Sequence, residues 1–412
     1  MPETPKKEEA LEPLTEAVIT KYTTAGQIAN DVLKELISMA KEGAKVGDIC
    51  THGDTRIKEL TSKCYKKEKE MEKGIGMPTC VSVGNIVCHF SPLKSDPEVV
   101  LEKGQVVKID LGAHVDGYIA SAAHTIVVGA STDEKVTGKK ADVTLAAYNA
   151  LETTLRQLFP HKGLKNSDIT KTISEVASIY KTTPVENMLS HQIARFETNT
   201  GKEIIQNPSD DQSNKIEKHT FEENEAYVID ILITTGDGKV KQGDIRTTVY
   251  KKAADVVYQL KMKNSRNFFS EASKEYGVMP FSIRGFANEV QAKLGVTELM
   301  PFSIRGFANE VQAKLGVTEC ERHGLLQPYP VLYDRDSEIV AQFKATVLIT
   351  PNGITKVAGL PLDTSVYQSE IKIENPIIQT LLKESLKMKK QKKKDEKTAG
   401  ETKETPKADP PQ

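Results

Sequence analysis

Asp110 in VVKIDLG and Asp230 in AYVIDILITTG sit in strand-like runs, and His191 in ENMLSHQIA lies between them in the chain. Carboxylates and an imidazole held by a rigid sheet are the donors of hydrolytic metal centres. Hydrolysis by two divalent ions, cobalt, manganese or zinc, needs about four carboxylates, one of them bridging, and a histidine that completes one ion's shell. His89, in NIVCHFSPLKSD, is flanked by Cys80 and Cys88 at intervals that fit no zinc motif. His114 and His124 read as structural. A second kind of chemistry lies near the C-terminus, where Lys383 to Lys397 carries eight lysines against three acids, a local net of +5. With no interleaved aromatics, Lys387, Lys389, Lys390, Lys392, Lys393 and Lys394 would meet phosphates rather than bases, with steep salt dependence. A merely solvating tail is the plain alternative.

The elements that must position these residues follow from periodicity. Ile28, Val32, Leu33, Leu36, Ile37 and Ala40 recur at helical spacing, with Gly43 as a C-cap. From Cys80 to Val127 the period changes to strand, and Asp116-Gly117 marks a hairpin. Helical patterns return at 140–158 and 168–180, strands at 226–233 and 246–250, and a last strand pair at 338–353 turns on Pro-Asn-Gly. The KKEKE stretch near Lys66 suggests an exposed helix laced with opposite charges. Helices beside a mostly antiparallel sheet predict an α+β fold. Residues 1–14 read as a disordered arm, 15–374 as the folded domain, and 375–412 as a lysine-rich helix and disordered tail.

MPFSIRGFANEVQAKLGVTE occurs at 279–298 and again, identical at all 20 positions, at 300–319. Solenoid repeats are diverged and come in threes or more. Two perfect copies read instead as a recent exon duplication or a gene-model error, with one copy in the native place and the other bulging at the surface.

Charged residues form 27% of the 412 and nearly cancel to a net of −1, so polyanion affinity must come from local clusters. Five cysteines without a CxxC pair suggest reduced thiols in an intracellular protein. With no apolar window of the roughly 18 residues that a membrane span needs, the expectation is a soluble protein of cytosol or nucleus with no membrane partner.

Over roughly residues 15 to 360 the layout resembles the methionine aminopeptidase family. The resemblance implies a pita-bread fold and five metal ligands. Asp110 matches the first. Eleven residues on, where the family has a second Asp, stands Ser121; His191 is kept; the fourth ligand is Asp230 in place of Glu; and in IVAQFKATVLITP the final Glu is Lys344. His89 matches the family's substrate-facing histidine. Placing two divalent ions beside two carboxylates and a lysine leaves about +3 uncompensated, so no metal and no cofactor are expected. Lys344 is expected to pair with Asp110 or Asp230.

HFSPLKSD, KKEKEMEKGI at 66–75, KMKNSRNFFSE at 261–271 and HGLLQPYPVLY at 323–333 resemble the proliferation-associated (ErbB receptor-binding) subgroup. That resemblance implies a non-catalytic protein that binds rRNA and other RNA, ribosomes and pre-ribosomal particles, and the lack of an apolar interaction stripe in the sequence suggests a monomer. The resemblance further implies effects on growth, translation and transcription, signalling or transcription proteins as partners, and a cytoplasmic and nuclear or nucleolar location. Two rivals stand beside it. One is a degenerate aminopeptidase with one ion on Asp110, His191 and Asp230; the other is a protein scaffold without RNA contact.

Overall fold

The computed structural model describes residues 12–213, 216–286 and 310–388. Thr15 opens the first helix, α1 (Glu16–Met39), its hydroxyl accepting from Val18 N at 3.4 Å. Tyr22, Ala25, Ala29, Val32, Leu33 and Leu36 make one buried stripe at helical spacing. Each fully buried Val or Leu contributes about 1.5–3 kcal/mol. The helix starts well before Ile28 because Thr15, Val18 and Tyr22 extend the same pattern. It ends at Met39, so Gly43 (φ 82°) belongs to the following turn and is not its cap.

Residues 12–14 belong with the domain rather than with an arm: Glu12 accepts from the Tyr118 hydroxyl, and Leu14 packs on the core. Residues 1–11 lie outside the described residues. α2 (Val46–Lys63) buries Ile49, Cys50, Gly53 and Ile57. A Cβ on Gly53 would lie 2.4 Å from Thr79 Oγ1, so the missing side chain lets α2 approach the sheet. Cys64 leaves helical backbone (φ −88°, ψ 151°), and the KKEKE stretch lies in turns, not in the expected helix.

The remaining principal elements are β1 (Lys73–Val83), β2 (Val106–Val115), β3 (Tyr118–Val127), α3 (Gly138–Gln157), α4 (Asn166–Ile179), β4 (Leu189–Ile193), β5 (Glu203–Ile205), β6 (Ala226–Thr234), β7 (Val249–Lys252), α5 (Lys263–Tyr276), β8 (Phe281–Ser282), α6 (Glu310–Arg322), β9 (Leu326–Tyr329), β10 (Val340–Thr350), β11 (Gly353–Ala358) and α7 (Pro376–Lys383). The main sheet runs β1-β2-β3-β10-β6-β4-β5 with β11 on β10, and these pairs are all antiparallel. This is the expected α+β architecture. β2 and β3 turn at Asp116-Gly117, both at positive φ (55° and 80°), the backbone that a tight two-residue hairpin requires.

Side-chain parity decides what each face does. Val107, Ile109, Leu111, Ala113 and Val115 of β2 join the core with α1 and α2. Tyr227, Ile229, Ile231 and Ile233 of β6, with Ala341, Phe343, Ala345 and Val347 of β10, join the core with α3 and α4. The alternate residues, Asp110, Asp230 and Lys344 among them, therefore project from the opposite face.

The duplicated segment does not divide into one seated copy and one bulge as expected. Met279, Phe281, Ile283, Arg284 and Phe286 of the first copy are buried, and so are Ala313 and Val317 of the second; Phe281, Ile283, Phe286, Ala313 and Val317 share one apolar cluster. The start of one copy and the end of the other together fill a single slot. Residues 287–309 lie outside the described residues.

α7 is shorter than the sequence pattern suggested. After Lys383 the chain leaves the helix and pairs with the β10–β11 turn, Ile354 N donating to Leu386 O at 2.8 Å and Met388 N to Asn352 O at 2.9 Å.

Candidate functional site: a lysine between two carboxylates

The sheet register builds the site. Reading across β1, β2, β3, β10 and β6, the directly paired residues are Cys80, Asp110, Ala123, Lys344 and Asp230. Residues directly opposite in a ladder share a face, so one row holds both carboxylates and the lysine. Asp230 is Lys344's immediate neighbour, whereas Asp110 lies one strand further, beyond Ala123. The small alanine leaves room for the lysine chain to cross. Lys344 Nζ ends 2.6 Å from Asp110 Oδ2 and 3.1 Å from Asp230 Oδ2.

All three side chains are shielded from water, at 9% exposure for Lys344, 4% for Asp110 and 17% for Asp230. Burial alone would push the Lys344 amine down, but Asp110 and Asp230 outweigh it and hold the ammonium well above the ordinary lysine range. Burial also pushes the Asp230 carboxyl up, against the pull of Lys344. Gln342, two residues before Lys344 and on its face, donates from Nε2 to Asp230 Oδ1 at 2.9 Å. Ser190 Oγ accepts from Asp230 N at 2.9 Å. Asp110 Oδ1 has no hydrogen-bond partner among the described residues.

Ser121 faces Gly112 across the hairpin, two residues from the row. Its backbone is tied to Thr346, whose hydroxyl accepts from Ser121 N and donates to Ser121 O, each at 2.8 Å. His191 pairs with Val228, two residues from Asp230 on β6, so it stands beside the row. Burial, then the Lys344 charge, pushes its imidazole down to about 4, and Nδ1 has no hydrogen-bond partner among the described residues. His89 sits at φ 63°, with Nδ1 3.1 Å from Pro330 O and the ring edge-on to Tyr329 at 5.2 Å. Burial and then Lys344 take it to about 4 as well. The structure thus brings Asp110, Asp230, Lys344, His191 and His89 into one neighbourhood. His114 and His124 are buried, as their structural reading anticipated.

Three residues escaped the sequence reading. Gln342 shares the parity of Lys344 and could have been found by counting two back. Lys108, two before Asp110, is 1% exposed and donates to Gly84 O at 2.7 Å; burial pushes its amine down to about 7. Lys251 of β7 donates to the Thr198 hydroxyl and bears electrostatically on His191, a tertiary proximity with no sequence signal.

The family's two-ion centre can be tested against this chemistry. Two carboxylates are present, and the point between them is held by an ammonium at hydrogen-bonding distance. The residues present do not fit a dinuclear metal site, because about four carboxylates are needed to offset two divalent ions.

Of the C-terminal lysines, Lys387 is exposed and forms a bridge with Gly353; Lys389, Lys390, Lys392, Lys393 and Lys394 lie outside the described residues. Among the described residues, no helix is long and apolar enough to cross a membrane.

Comparison with known proteins agrees with the layout. The model of metallopeptidase family M24 matches residues 20–250. Proliferation-associated protein A of Dictyostelium discoideum is 41% identical, over 92% of this chain and 92% of its own. The curved DNA-binding protein of Schizosaccharomyces pombe is 39% identical, over 92% of this chain and 93% of its own. Among solved structures, a thermophilic Arx1 superposes with a TM-score of 0.80 at 31% identity, covering 91% of this chain and all of that one. With its pita-bread sheet and its M24 layout, the chain belongs to the proliferation-associated protein family, related to the methionine aminopeptidases.

Proposed function

We propose that this protein is a non-catalytic relative of the aminopeptidases that works by binding RNA and ribosomal particles. The observation that carries the non-catalytic half is the Lys344 ammonium at 2.6 and 3.1 Å from Asp110 and Asp230. In this reading Asp110, Ser121, His191, Asp230, Lys344 and His89 are relics of a metallopeptidase centre, neutralised by a side chain in place of ions. The binding half is supported by the lysine run, eight lysines against three acids between Lys383 and Lys397, leaving from a chain anchored at the β10–β11 turn. The Schizosaccharomyces pombe relative, a curved DNA-binding protein by name, also points to nucleic acid. A folded body that takes in residues 12–14 and the chain through Met388, with the lysine-rich tail beyond it, belongs to the same reading. So do RNA contact by Lys387, Lys389, Lys390, Lys392, Lys393 and Lys394, action as a monomer in cytoplasm and nucleus or nucleolus, and effects on growth, translation and transcription.

The test is co-sedimentation with ribosomes and gel shift with rRNA, for the full chain and for a chain ending at Met388, at 50 and at 200 mM salt. Loss of binding on truncation, and a fall of at least about ten-fold across that salt range for the full chain, are expected from phosphate contacts. Undiminished binding by the truncated chain would remove the tail from the mechanism. Release of methionine from a Met-Ala-Ser peptide in the presence of cobalt or manganese would overturn the non-catalytic half.

A further inference from the structure

Away from the lysine row, a cavity of about 630 Å³ opens where the chain entering β2 and the chain leaving β3 meet the start of α3. Lys103, Lys135, Lys139 and Lys140 line it against a single acid, Glu134, although the whole chain has a net charge of −1. Val127, Val136 and Ile339 supply an apolar wall.

The four lysines are held differently. Lys103 pairs with Glu134 at 2.8 Å, and Lys140 donates to Gly104 O at 2.6 Å. Two glycines let these chains lie close: a Cβ on Gly129 would stand 3.1 Å from Lys103 Cγ, and one on Gly104 3.6 Å from Lys140 Nζ. Lys135 and Lys139 are exposed, and their ammonium groups have neither an ion-pair nor a hydrogen-bond partner among the described residues. Thr137, between them in the chain, is exposed too, and its hydroxyl makes no capping bond to α3. Two cations and a hydroxyl are therefore available to a ligand. A smaller cavity of about 280 Å³ continues the first, sharing Lys103, Gly104, Lys140 and Ile339. Its other side chains include Asn85, Gln105, Asp336 and Glu338, all of which can accept hydrogen bonds.

We propose that the two cavities together form a site for a nucleoside monophosphate, with the phosphate on Lys135, Lys139 and the Thr137 hydroxyl. Charge selects the phosphate: a monoester carries about −1.5 to −2 at neutral pH, which two unpaired ammonium groups balance and a single carboxylate would not. Size excludes a bare anion. The larger cavity falls within the roughly 300–1,000 Å³ of organic-ligand sites, and a phosphate ion would leave Val127, Val136 and Ile339 facing water. A sugar and base cover that wall, and each Å² of apolar surface so buried contributes about 25 cal/mol. The acceptors of the smaller cavity then meet the hydroxyl and amino groups that a nucleoside offers. The nucleotide is either free or the 5′ end of an RNA strand, since both carry the same monoester. The site lies on the folded body, so it depends neither on the lysine tail nor on the RNA reading above.

The test is calorimetric titration of the full chain with adenosine monophosphate, with inorganic phosphate, and with a short RNA bearing or lacking a 5′ phosphate. Adenosine monophosphate should bind at least about ten-fold more tightly than inorganic phosphate, and Lys135→Ala with Lys139→Ala should weaken it at least about ten-fold, the loss expected for hydrogen bonds to a charged group. Both lysines are exposed, so the double variant folds as the parent does, and Lys135→Arg with Lys139→Arg should retain binding. With a strand end as the source, the 5′-phosphorylated RNA binds more tightly than both adenosine monophosphate and the 5′-hydroxyl RNA; with a free nucleotide, adenosine monophosphate binds and the two RNAs do not differ. The tail is intact in every variant, so its contribution cancels. Equal affinity for inorganic phosphate and adenosine monophosphate would reduce the site to a cationic patch and overturn the proposal, as would titrations that the double alanine variant leaves unchanged.

Discussion

Replacing Lys344 by methionine keeps most of the side-chain volume and removes the charge, so the cavity contribution is small and the electrostatics are isolated. Asp110 and Asp230 are then left facing each other, both shielded from water. Removing one partner of a buried ion pair costs about 3–5 kcal/mol, which is the loss expected at pH 7. The pH dependence has a definite sign. Burial already pushes the Asp230 carboxyl up, and without the ammonium it must rise further. A carboxyl whose folded-state pKa lies above its unfolded value binds the extra proton in the folded state. Its stabilising contribution is complete below about pH 4 and is lost as pH rises through the folded value. The gap between Lys344→Met and the parent protein should therefore narrow from pH 7 to pH 5. Converting Asp110 to Asn in the same chain should recover part of the loss, since it removes the repulsion between the two carboxylates but leaves Asp230 without its cation. Urea denaturation followed by far-UV circular dichroism, with a chelator present, measures each quantity. A loss under about 1 kcal/mol at pH 7, or the same loss at both pH values, would show that the lysine is not what neutralises the site.

His89, His191, His114 and His124 are each pushed down to about 4, with burial the largest cause in every case. A depressed histidine favours the folded state above the unfolded value of about 6.5, and that stability is lost as pH falls towards about 4. Their ring proton shifts should stay flat between pH 8 and 5.5 in nuclear magnetic resonance spectra; a midpoint near 6.5 for His191 would contradict its enclosure beside Lys344. Ala123→Val places extra methyl groups in the path from Lys344 to Asp110 and should cost about 1–3 kcal/mol. In a cycle with Lys344→Met the two losses should be non-additive, and additivity within about 0.5 kcal/mol would mean that the lysine does not cross there.

Much of this site was legible in the sequence because it rests on strands. Alternation puts Asp110 and Lys108 on one face of β2, and Gln342 and Lys344 on one face of β10, before any pairing is known. Pairing is what sequence does not supply. That Ala123 stands between Asp110 and Lys344 depends on the β3–β10 register, and β3 and β10 are separated by more than two hundred residues. The same limit explains Lys251, whose charge bears on His191 only because the fold brings β7 near it. Helix ends were missed for a different reason: the start of α1 is marked by the Thr15 cap and by only two widely spaced large apolar residues, Val18 and Tyr22, before Ile28, and α2 carries buried residues interrupted by Thr51, His52, Asp54 and Arg56. The hybrid filling of the duplicated slot could not be read at all, since identical residues carry no information on which copy is seated.

The geometry also says why one lysine suffices where several acids are missing. An ion centre requires carboxylates on adjacent strands to converge on a point, and that convergence is repulsive unless cations occupy it. In this chain Ser121 contributes no charge, and Asp230 is drawn back by its shorter side chain, so two carboxylates remain to be neutralised. Lys344 stands in the row between them, directly opposite Asp230, with its Nζ carried over Ala123 to Asp110. Its three donors can serve both acids, and Gln342 supplies a further bond to Asp230. The sheet thus holds its two acids with protein atoms. For that reason a single Lys344→Glu exchange should not create a two-ion centre: it brings the carboxylates to three where about four are needed, and the charges need ions before the strands can tolerate them.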